Sequence, residues 1–364
     1  MRGGAVRQAE RWSSARRWLA VRLDAIGDVL MTTPALRALR ASGPGRHLTL
    51  LTSSAGGAVA ALIPEVDAVI AYDPPWMKAT PERASAALEY AMAERLAAGR
   101  FEAAVIFTVY SQSPLPAALL LWLAGIPLRL AHCRENPYQL LTDWIPDPEP
   151  TRLVRHEVRR QLDLVGAVGA GTGDARLSLR VPAPARRRVR DRLDKLGLAG
   201  RPWVLVHPGA TAPSRRYPPE SFAEVVRGLA AAGLPVLLAG GPGDGPLVAA
   251  IERAAPARAL AGRLDLSELA ALIAEAALLV ANNSAPVHIA AALGTPVVDL
   301  YALTNPQHTP WGVPHRVLFH DVPCKHCYKS VCPEGHHACL RGVHPAAVVE
   351  AALALLAERE RLPG

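Results

Sequence analysis

Lysine is nearly missing from this chain. Of its 40 cationic residues only Lys78, Lys195, Lys325 and Lys329 are lysine, and the rest are arginine. Aromatic residues are scarce, at 5%. No basic stripe interleaved with rings runs through the sequence, which argues against a base-stacking nucleic-acid surface. Long apolar runs are absent as well. The longest, Leu115 to Leu128, contains Pro116, Gly125 and Pro127, and it falls short of the roughly 20 residues a spanning helix needs. The start is arginine-rich (Arg2, Arg7, Arg11, Arg16, Arg17), but no apolar stretch of signal-peptide length follows, because Leu19 to Leu23 is broken by Arg22. These absences point to a cytoplasmic protein. Residues 1–17 read as a basic, disordered extension, with contact to the inner face of the cytoplasmic membrane as the other reading.

What is present is a globular composition. The chain has 364 residues, half of them hydrophobic and a fifth charged. That length suits two domains of about 150 residues with two cores. The net charge of +8 is either a solvated basic surface or an attraction to phosphates, on a nucleotide or on anionic lipid headgroups.

Strand and helix patterns alternate. Strands are expected at Trp18–Leu23, Leu48–Thr52, Val69–Tyr72 and Ala103–Val109, with helices at Asp28–Arg40, Ala55–Ile63 and Pro81–Leu96. This βαβ order implies a parallel sheet covered on both faces. The Gly-rich stretch from Val165 and the charged piece near Arg186–Leu196 read as a linker. The pattern then restarts: strands at Trp203–Val206, Pro235–Ala239, Leu278–Ala281 and Pro296–Tyr301, and helices at Pro218–Ala231, Leu266–Glu275, Ala285–Leu293 and Pro345–Glu358. The division expected is a basic extension over 1–17, an N-terminal Rossmann-like domain over 18–170, a linker over 171–200, a C-terminal Rossmann-like domain over 201–345 and a terminal helix over 346–364. Two doubly wound halves would face each other across a cleft that takes the ligands.

Five motifs carry candidate chemistry. In Arg22-Leu23-Asp24-Ala25-Ile26-Gly27-Asp28 a strand turns into a helix; Asp28 is either a helix cap or a general base at a strand end. In His207-Pro208-Gly209-Ala210-Thr211 through Arg215-Arg216, a strand ends in a Gly/Thr loop with two arginines, whose forked guanidinium groups match phosphate oxygens; the plainer reading is a solvated surface loop. Gly240-Gly241-Pro242-Gly243-Asp244 is a plain turn or a ribose contact through Asp244. In Asn282-Asn283-Ser284-Ala285-Pro286-Val287-His288 a strand delivers polar residues to a helix start with room for a diphosphate; otherwise Ser284 is a cap and His288 a buried histidine. Last, Cys324, Cys327, Cys332 and Cys339 cluster with His326, His336 and His337. Structural zinc, other metal or redox chemistry, and plain reduced thiols all fit that spacing.

In order, the Arg-x-Asp-x-Ile-Gly-Asp turn (Arg22 to Asp28), the His-Pro-Gly-Ala loop (His207 to Ala210) and the Asn-Ser-Ala-Pro-Val-His-Ile-Ala segment (Asn283 to Ala290) resemble glycosyltransferase family 9, the ADP-heptose:lipopolysaccharide heptosyltransferases. The resemblance runs from about Trp18 to Leu355, and the cysteine cluster ending at Cys339-Leu340 resembles that of the second-heptose transferases. It implies a GT-B fold, with the acceptor on the first domain and the nucleotide sugar on the second. It implies an inverting transfer with Asp28 as base and Arg22 and Asp24 on the acceptor side. Thr211, Arg215, Arg216, Asp244, Leu264, Asn283, Ser284, Ala285 and His288 fall on the donor side. Arg215 stands where the family has lysine, Asn283 where many members have Asp, and Ala285 where they often have Gly, departures that bear on which sugar is carried. The resemblance implies a nucleotide-sugar donor, ADP-heptose by family, a lipid-linked saccharide acceptor, no nucleic acid and no cofactor required for catalysis. Two other readings stand beside it: a GT-B transferase using a UDP-sugar, and a zinc-containing basic binding module without catalysis.

Overall fold

Burial on both faces shapes the first sheet. The computed structural model describes residues 10–78, 80–260 and 262–361, in two units that divide between Ser178 and Leu179. The first unit runs α1 (residues 10–14), β1 (Arg17–Arg22), α2 (Ile26–Ala41), β2 (His47–Thr52), α3 (Ser54–Ala60), β3 (Ala68–Ala71), α4 (Ala87–Ala98), β4 (Ala103–Ile106), α5 (Leu115–Leu123), β5 (Leu128–Cys133), β6 (Asp143–Pro146) and α6 (Glu157–Gly166). Its six strands are parallel, in the order β3-β2-β1-β4-β5-β6. The central strand β1 is buried from Trp18 to Arg22, as a strand sandwiched by helices must be. Its apolar side chains Leu19 and Val21 enter the same core as Ile106, Leu121 and Ala131.

Helix α2 carries Asp28 and survives an internal proline. Pro34 has no N–H to donate to the Leu30 carbonyl four residues back. The Thr33 hydroxyl donates to that carbonyl instead, at 2.7 Å, and itself accepts the Ser178 N–H at 2.9 Å. Thr32 adds a bond from its hydroxyl to the Asp28 carbonyl at 2.8 Å.

The second unit runs α7 (Ala183–Lys195), β7 (Val204–His207), α8 (Pro219–Ala231), β8 (Val236–Leu238), α9 (Gly245–Ala254), β9 (Arg258–Ala259), α10 (Leu266–Glu275), β10 (Leu278–Asn282), α11 (Ala285–Leu293), β11 (Val297–Leu300), β12 (His315–Leu318), α12 (Ala338–Arg341) and α13 (Pro345–Arg361). Its sheet is also parallel, in the order β12-β11-β10-β7-β8-β9. Read from its first strand outward, that is the order of the first unit. Each is a doubly wound α/β sheet whose ligand end lies at the carboxyl ends of the strands. Gly294, at φ 78°, closes α11 in the left-handed conformation that glycine adopts without steric cost.

Three segment readings change. Residues 10–17 are folded rather than an extension: Trp12 is buried, its ring lies 5.4 Å from that of Trp18, and the Arg46 guanidinium stacks on Trp18 at 4.6 Å. Residues 1–9 lie outside the described residues. The charged piece expected as linker is helix α7 of the second unit, packed on α10 and tied to it by Arg188 and Glu268 at 2.7 Å. The terminal helix is not separate, since α13 packs on α8 and shares its core. Among the described residues no helix is long and apolar enough to cross a membrane.

Candidate active site

One buried guanidinium organises the carboxyl end of the first sheet. Arg22, the last residue of β1, has no exposed surface. Its Nε lies 2.9 Å from Asp24 Oδ2, its Nη2 3.0 Å from Asp28 Oδ1 and its Nη1 2.7 Å from Glu157 Oε1. The planar fork of arginine can serve three carboxylates in this way, and a lysine could not. Gln161, one turn beyond Glu157 on α6, donates to Glu157 Oε1 at 2.6 Å. Burial alone would lower the Arg22 pKa, but the three carboxylates around it more than reverse that and raise it.

Three acids share one cation, so negative charge is in excess. Burial pushes the Asp24 carboxyl up to about 6, with Asp28 and Glu157 adding to the rise, while Arg22 and a hydrogen bond from Gln112 at 2.7 Å oppose it. Asp28 sits in the first turn of α2, where the helix dipole favours an anion. Its side chain is 21% exposed, against none for Arg22 and Glu157. Asp28 is therefore the most exposed member of the cluster, with Asp24 next at 11%. The backbone of Asp24 is pinned by the Ser53 hydroxyl, which donates to its carbonyl at 2.7 Å.

Beside the cluster opens a cavity of about 290 Å³, lined by Asp24, Trp76, Met77, Phe107, Thr108 and Gln112 among others. That volume lies near the lower bound of about 300 Å³ for ligand pockets. Its mixture of two aromatic side chains, one acid and several hydrogen-bonding groups suits a polar ligand with an apolar face.

In the second unit three strand ends converge. Asn282, the last residue of β10, donates from Nδ2 to the Pro208 carbonyl at 2.6 Å and accepts the Tyr217 N–H at 3.0 Å. It thereby fixes the loop after β7 against the start of α8. The Asp244 carboxylate accepts the Gly241 N–H at 2.9 Å and packs so closely on Gly209 that any Cβ there would collide with it. The Ser284 hydroxyl donates to the Asn282 and Gly209 carbonyls at 3.1 and 3.4 Å. Its side chain makes no cap bond to α11; the Ser284 carbonyl takes the Val287 N–H at 3.0 Å and Pro286 has none to offer, so the helix start presents the positive end of its dipole beside Ala285. Burial pushes the His207 imidazole below its usual range, against the pull of Asp244.

Buried polar groups without partners mark this end. Neither amide atom of Asn283 and neither oxygen of Asp299 has a hydrogen-bond partner among the described residues. Asp299, on β11, has no exposed surface, and burial holds its carboxyl well above the usual range while the Arg215 guanidinium pulls the other way. Orphaned groups of this kind are costly unless a ligand satisfies them.

The residues expected from sequence fall as follows. Asp28 and Asp24 stand together beside the cavity, but Arg22 is sealed off. Its guanidinium is turned to three carboxylates with no exposed surface of its own. Thr211 and Arg216 are exposed and Arg215 is half-buried in a 3-10 turn, Pro213–Arg215, whose Ser214 is held by the Lys329 and Ser330 carbonyls. Arg216 spends its Nε on the Ala210 carbonyl at 2.8 Å. His288 is buried inside α11. Leu264 is half-buried, two residues past Gly262, whose N–H reaches the Gly240 carbonyl at 3.2 Å. Glu157, Gln112, Trp76 and Asp299 went unread in the sequence. Asn282 was read as part of its strand-end motif, but not as the group that ties the β7 loop to the start of α8.

Cys324, Cys327, Cys332 and Cys339 are free thiols. Burial raises the Cys339 thiol, with the other three thiols near enough to add to the rise, and Cys324 Sγ lies 3.9 Å from His336 Nε2. Among the described residues no three His, Cys, Asp or Glu side chains are gathered as a metal ion would need.

The chain is similar to known proteins over most of its length. The family model described as glycosyltransferase family 9 (heptosyltransferase) matches residues 90–338. The chain is 28% identical to lipopolysaccharide heptosyltransferase 2 of Escherichia coli (strain K12) over 354 residues, covering 92% of this chain and 97% of the relative. It resembles the solved structure of a glycosyl transferase family 9 from Veillonella parvula DSM 2008, with a TM-score of 0.78 and 24% identity, over 94% of this chain and 98% of that one. It also resembles the E. coli ADP-heptose lps heptosyltransferase II, with a TM-score of 0.73 and 25% identity, over 94% and 99% of the two chains.

Proposed function

The chain belongs to glycosyltransferase family 9 and is a glycosyltransferase, and from that premise we propose that it moves a heptose or a related sugar from a nucleoside-diphosphate donor, ADP-heptose foremost, to a lipopolysaccharide-core or other lipid-linked saccharide. A binding module without catalysis falls with that membership. The observation that carries the reading is the Arg22 cluster: a partly exposed carboxylate, Asp28, held 3.0 Å from a buried guanidinium at a strand end.

In this reading Asp28 takes the proton of the acceptor hydroxyl. The hydroxyl oxygen forms its bond to the anomeric carbon while the bond from that carbon to the diphosphate oxygen breaks, so the configuration inverts. The electron pair leaves with the nucleoside diphosphate. Arg215 and the positive end of the α11 dipole stabilise the growing charge on those phosphates, and no metal is needed for the step. Asp24 and Gln112 bind acceptor hydroxyls in the cavity that Trp76 lines. Arg22 and Glu157 fix Asp28 without touching substrate.

Calorimetry with ADP and UDP tests the donor half. ADP binding at least tenfold tighter than UDP supports the reading; tighter UDP binding transfers it to a UDP-sugar enzyme. Transfer from ADP-heptose to a heptose-deficient lipopolysaccharide core tests the acceptor half.

A further inference from the structure

A lipid-linked acceptor raises the question of where this chain would meet a bilayer, and one helix of the first unit stands out. From Ala103 to Leu128 the sequence holds no Asp, Glu, Lys or Arg. Helix α5 lies within that stretch and is apolar all round. Ala117, Ala118, Leu120 and Leu121 face the core, yet Leu119, Trp122 and Leu123 are 45%, 45% and 54% exposed. A helix apolar on every face is normally covered on every face. The N-terminal end of the same helix, at Pro116 and Ala117, lines the 290 Å³ cavity beside Asp24.

Charge at the edge of this face narrows what can cover it. In a parallel sheet the helices run antiparallel to the strands, so α4 and α5, which pack together, both end where the strands begin. Exposed arginines share that edge. Arg17, at the start of β1, donates to the Gly99 carbonyl just past α4 and sits over the Phe101 ring. Arg95 lies in the last turn of α4 and Arg100 two residues beyond its end. The acids nearby are Glu94, and Glu102, which accepts the Arg16 and Arg17 N–H groups. A second copy related by a two-fold axis would set these arginines against their own images. An anionic bilayer would accept the apolar side chains into its interfacial layer and the guanidinium groups among its headgroups, with a tryptophan at the boundary.

We propose that Leu119, Trp122 and Leu123 of α5, flanked by Arg17, Arg95 and Arg100, dock this protein on the surface of an anionic lipid bilayer. This deepens the reading of a lipid-linked acceptor and rests on it for its purpose. The other end of the same nine-residue helix borders the cavity, so an acceptor anchored in the bilayer has one helix length, roughly 13 Å, to cover between the docked face and Asp24.

The test uses the full chain and flotation with vesicles of phosphatidylcholine alone or mixed with phosphatidylglycerol, none carrying a saccharide. Binding is expected to the mixed vesicles and to weaken as salt rises. The variant Leu119→Ser/Trp122→Ser/Leu123→Ser is expected to lose at least about tenfold in binding. Arg95→Gln/Arg100→Gln should lose about fivefold per arginine and much of the salt dependence. ADP affinity measured on each variant reports folding in the second unit, and circular dichroism melting of the whole chain reports the first. Wild-type protein that ignores mixed vesicles overturns the proposal. So do variants that float like wild type, and so does a serine variant that turns a dimer into a monomer with vesicle binding unchanged. Vesicle binding without transfer to a lipopolysaccharide core would leave the docking surface standing and sink the acceptor reading instead.

Discussion

The two strand-end clusters solve opposite problems. In the first unit the buried charges are paired: Arg22 meets Asp24, Asp28 and Glu157 within 3.0 Å, and Gln161 and Gln112 add hydrogen bonds to two of those acids, while Glu157 Oε2 and Gln161 Oε1 keep no hydrogen-bond partner among the described residues. In the second unit Asn283 and Asp299 are buried with no hydrogen-bond partner among the described residues, and the first turn of α11 is uncapped by its own Ser284. A network finished in its ion pairs holds a reacting group in place before substrate arrives. Buried polar groups left without partners are costly until something satisfies them. That difference fits the proposed division of labour, proton removal at the first cluster and donor binding at the second.

The largest effect should come from removing the exposed member of the finished network. Asp28→Asn keeps the shape and the contact with Arg22 but cannot take a proton. Transfer should fall by about 10²–10⁴-fold while calorimetry shows unchanged ADP affinity. Activity near wild type would break the comparison at its first term. Next comes Arg22→Met, which strands three carboxylates around an apolar side chain. A broken buried ion network costs about 3–5 kcal/mol, to be read as a lower denaturant midpoint at constant slope.

A matched pair of substitutions sharpens the contrast. Glu157→Leu and Asp299→Val each trade a fully buried acid for an aliphatic side chain. The first takes a partner from Arg22 and should destabilise. The second relieves an unpartnered carboxyl and should stabilise by about 1–3 kcal/mol, in a strand where Val298 and Leu300 already pack. If both lower the melting temperature, Asp299 has a partner in solution and the second cluster is not waiting for a ligand.

Much of this was legible in the sequence, for local reasons. Parallel strands buried on both faces leave continuous apolar runs, so Trp18–Leu23, Leu48–Thr52 and Leu278–Ala281 declared themselves. The helix Leu266–Glu275 was visible in its spacing and is fixed by a reciprocal cap between Asp265 and Glu268. The motif residues Asp28, Asp24, Arg215 and Ser284 were found because chemistry and turn signals coincide at strand ends. What stayed hidden is non-local. Glu157 lies 135 residues from Arg22, on a helix whose sequence gives no sign of the pairing, and Asp299 looks like any polar residue near a strand end. Strand β5 and the edge strand β6 were missed because Leu128–Cys133 carries Arg129 and His132, and Asp143–Pro146 is four residues long. The linker was misread because α7 has charge on most of its surface and hides only Ala185, Val189 and Leu193.

The smallest predicted effect concerns how each unit carries its proline. In α11, Pro286 is the second helical residue, where no intrahelical N–H is required, so nothing has to compensate. In α2, Pro34 is the ninth residue of the helix, and the Thr33 hydroxyl stands in for the missing donor to Leu30 while also receiving the Ser178 N–H. Thr33→Val keeps the side-chain volume and removes both bonds. The loss should be about 1–2 kcal/mol, a fall in melting temperature of roughly 2–8 °C for a unit of this size. Thr33→Ser, which retains the hydroxyl, should recover most of it. The same pair at a threonine outside this helix, such as Thr151, should change nothing measurable. Equal losses for the valine and serine variants at position 33 would mean that methyl packing, not the borrowed hydrogen bond, lets a proline sit in the helix that carries Asp28.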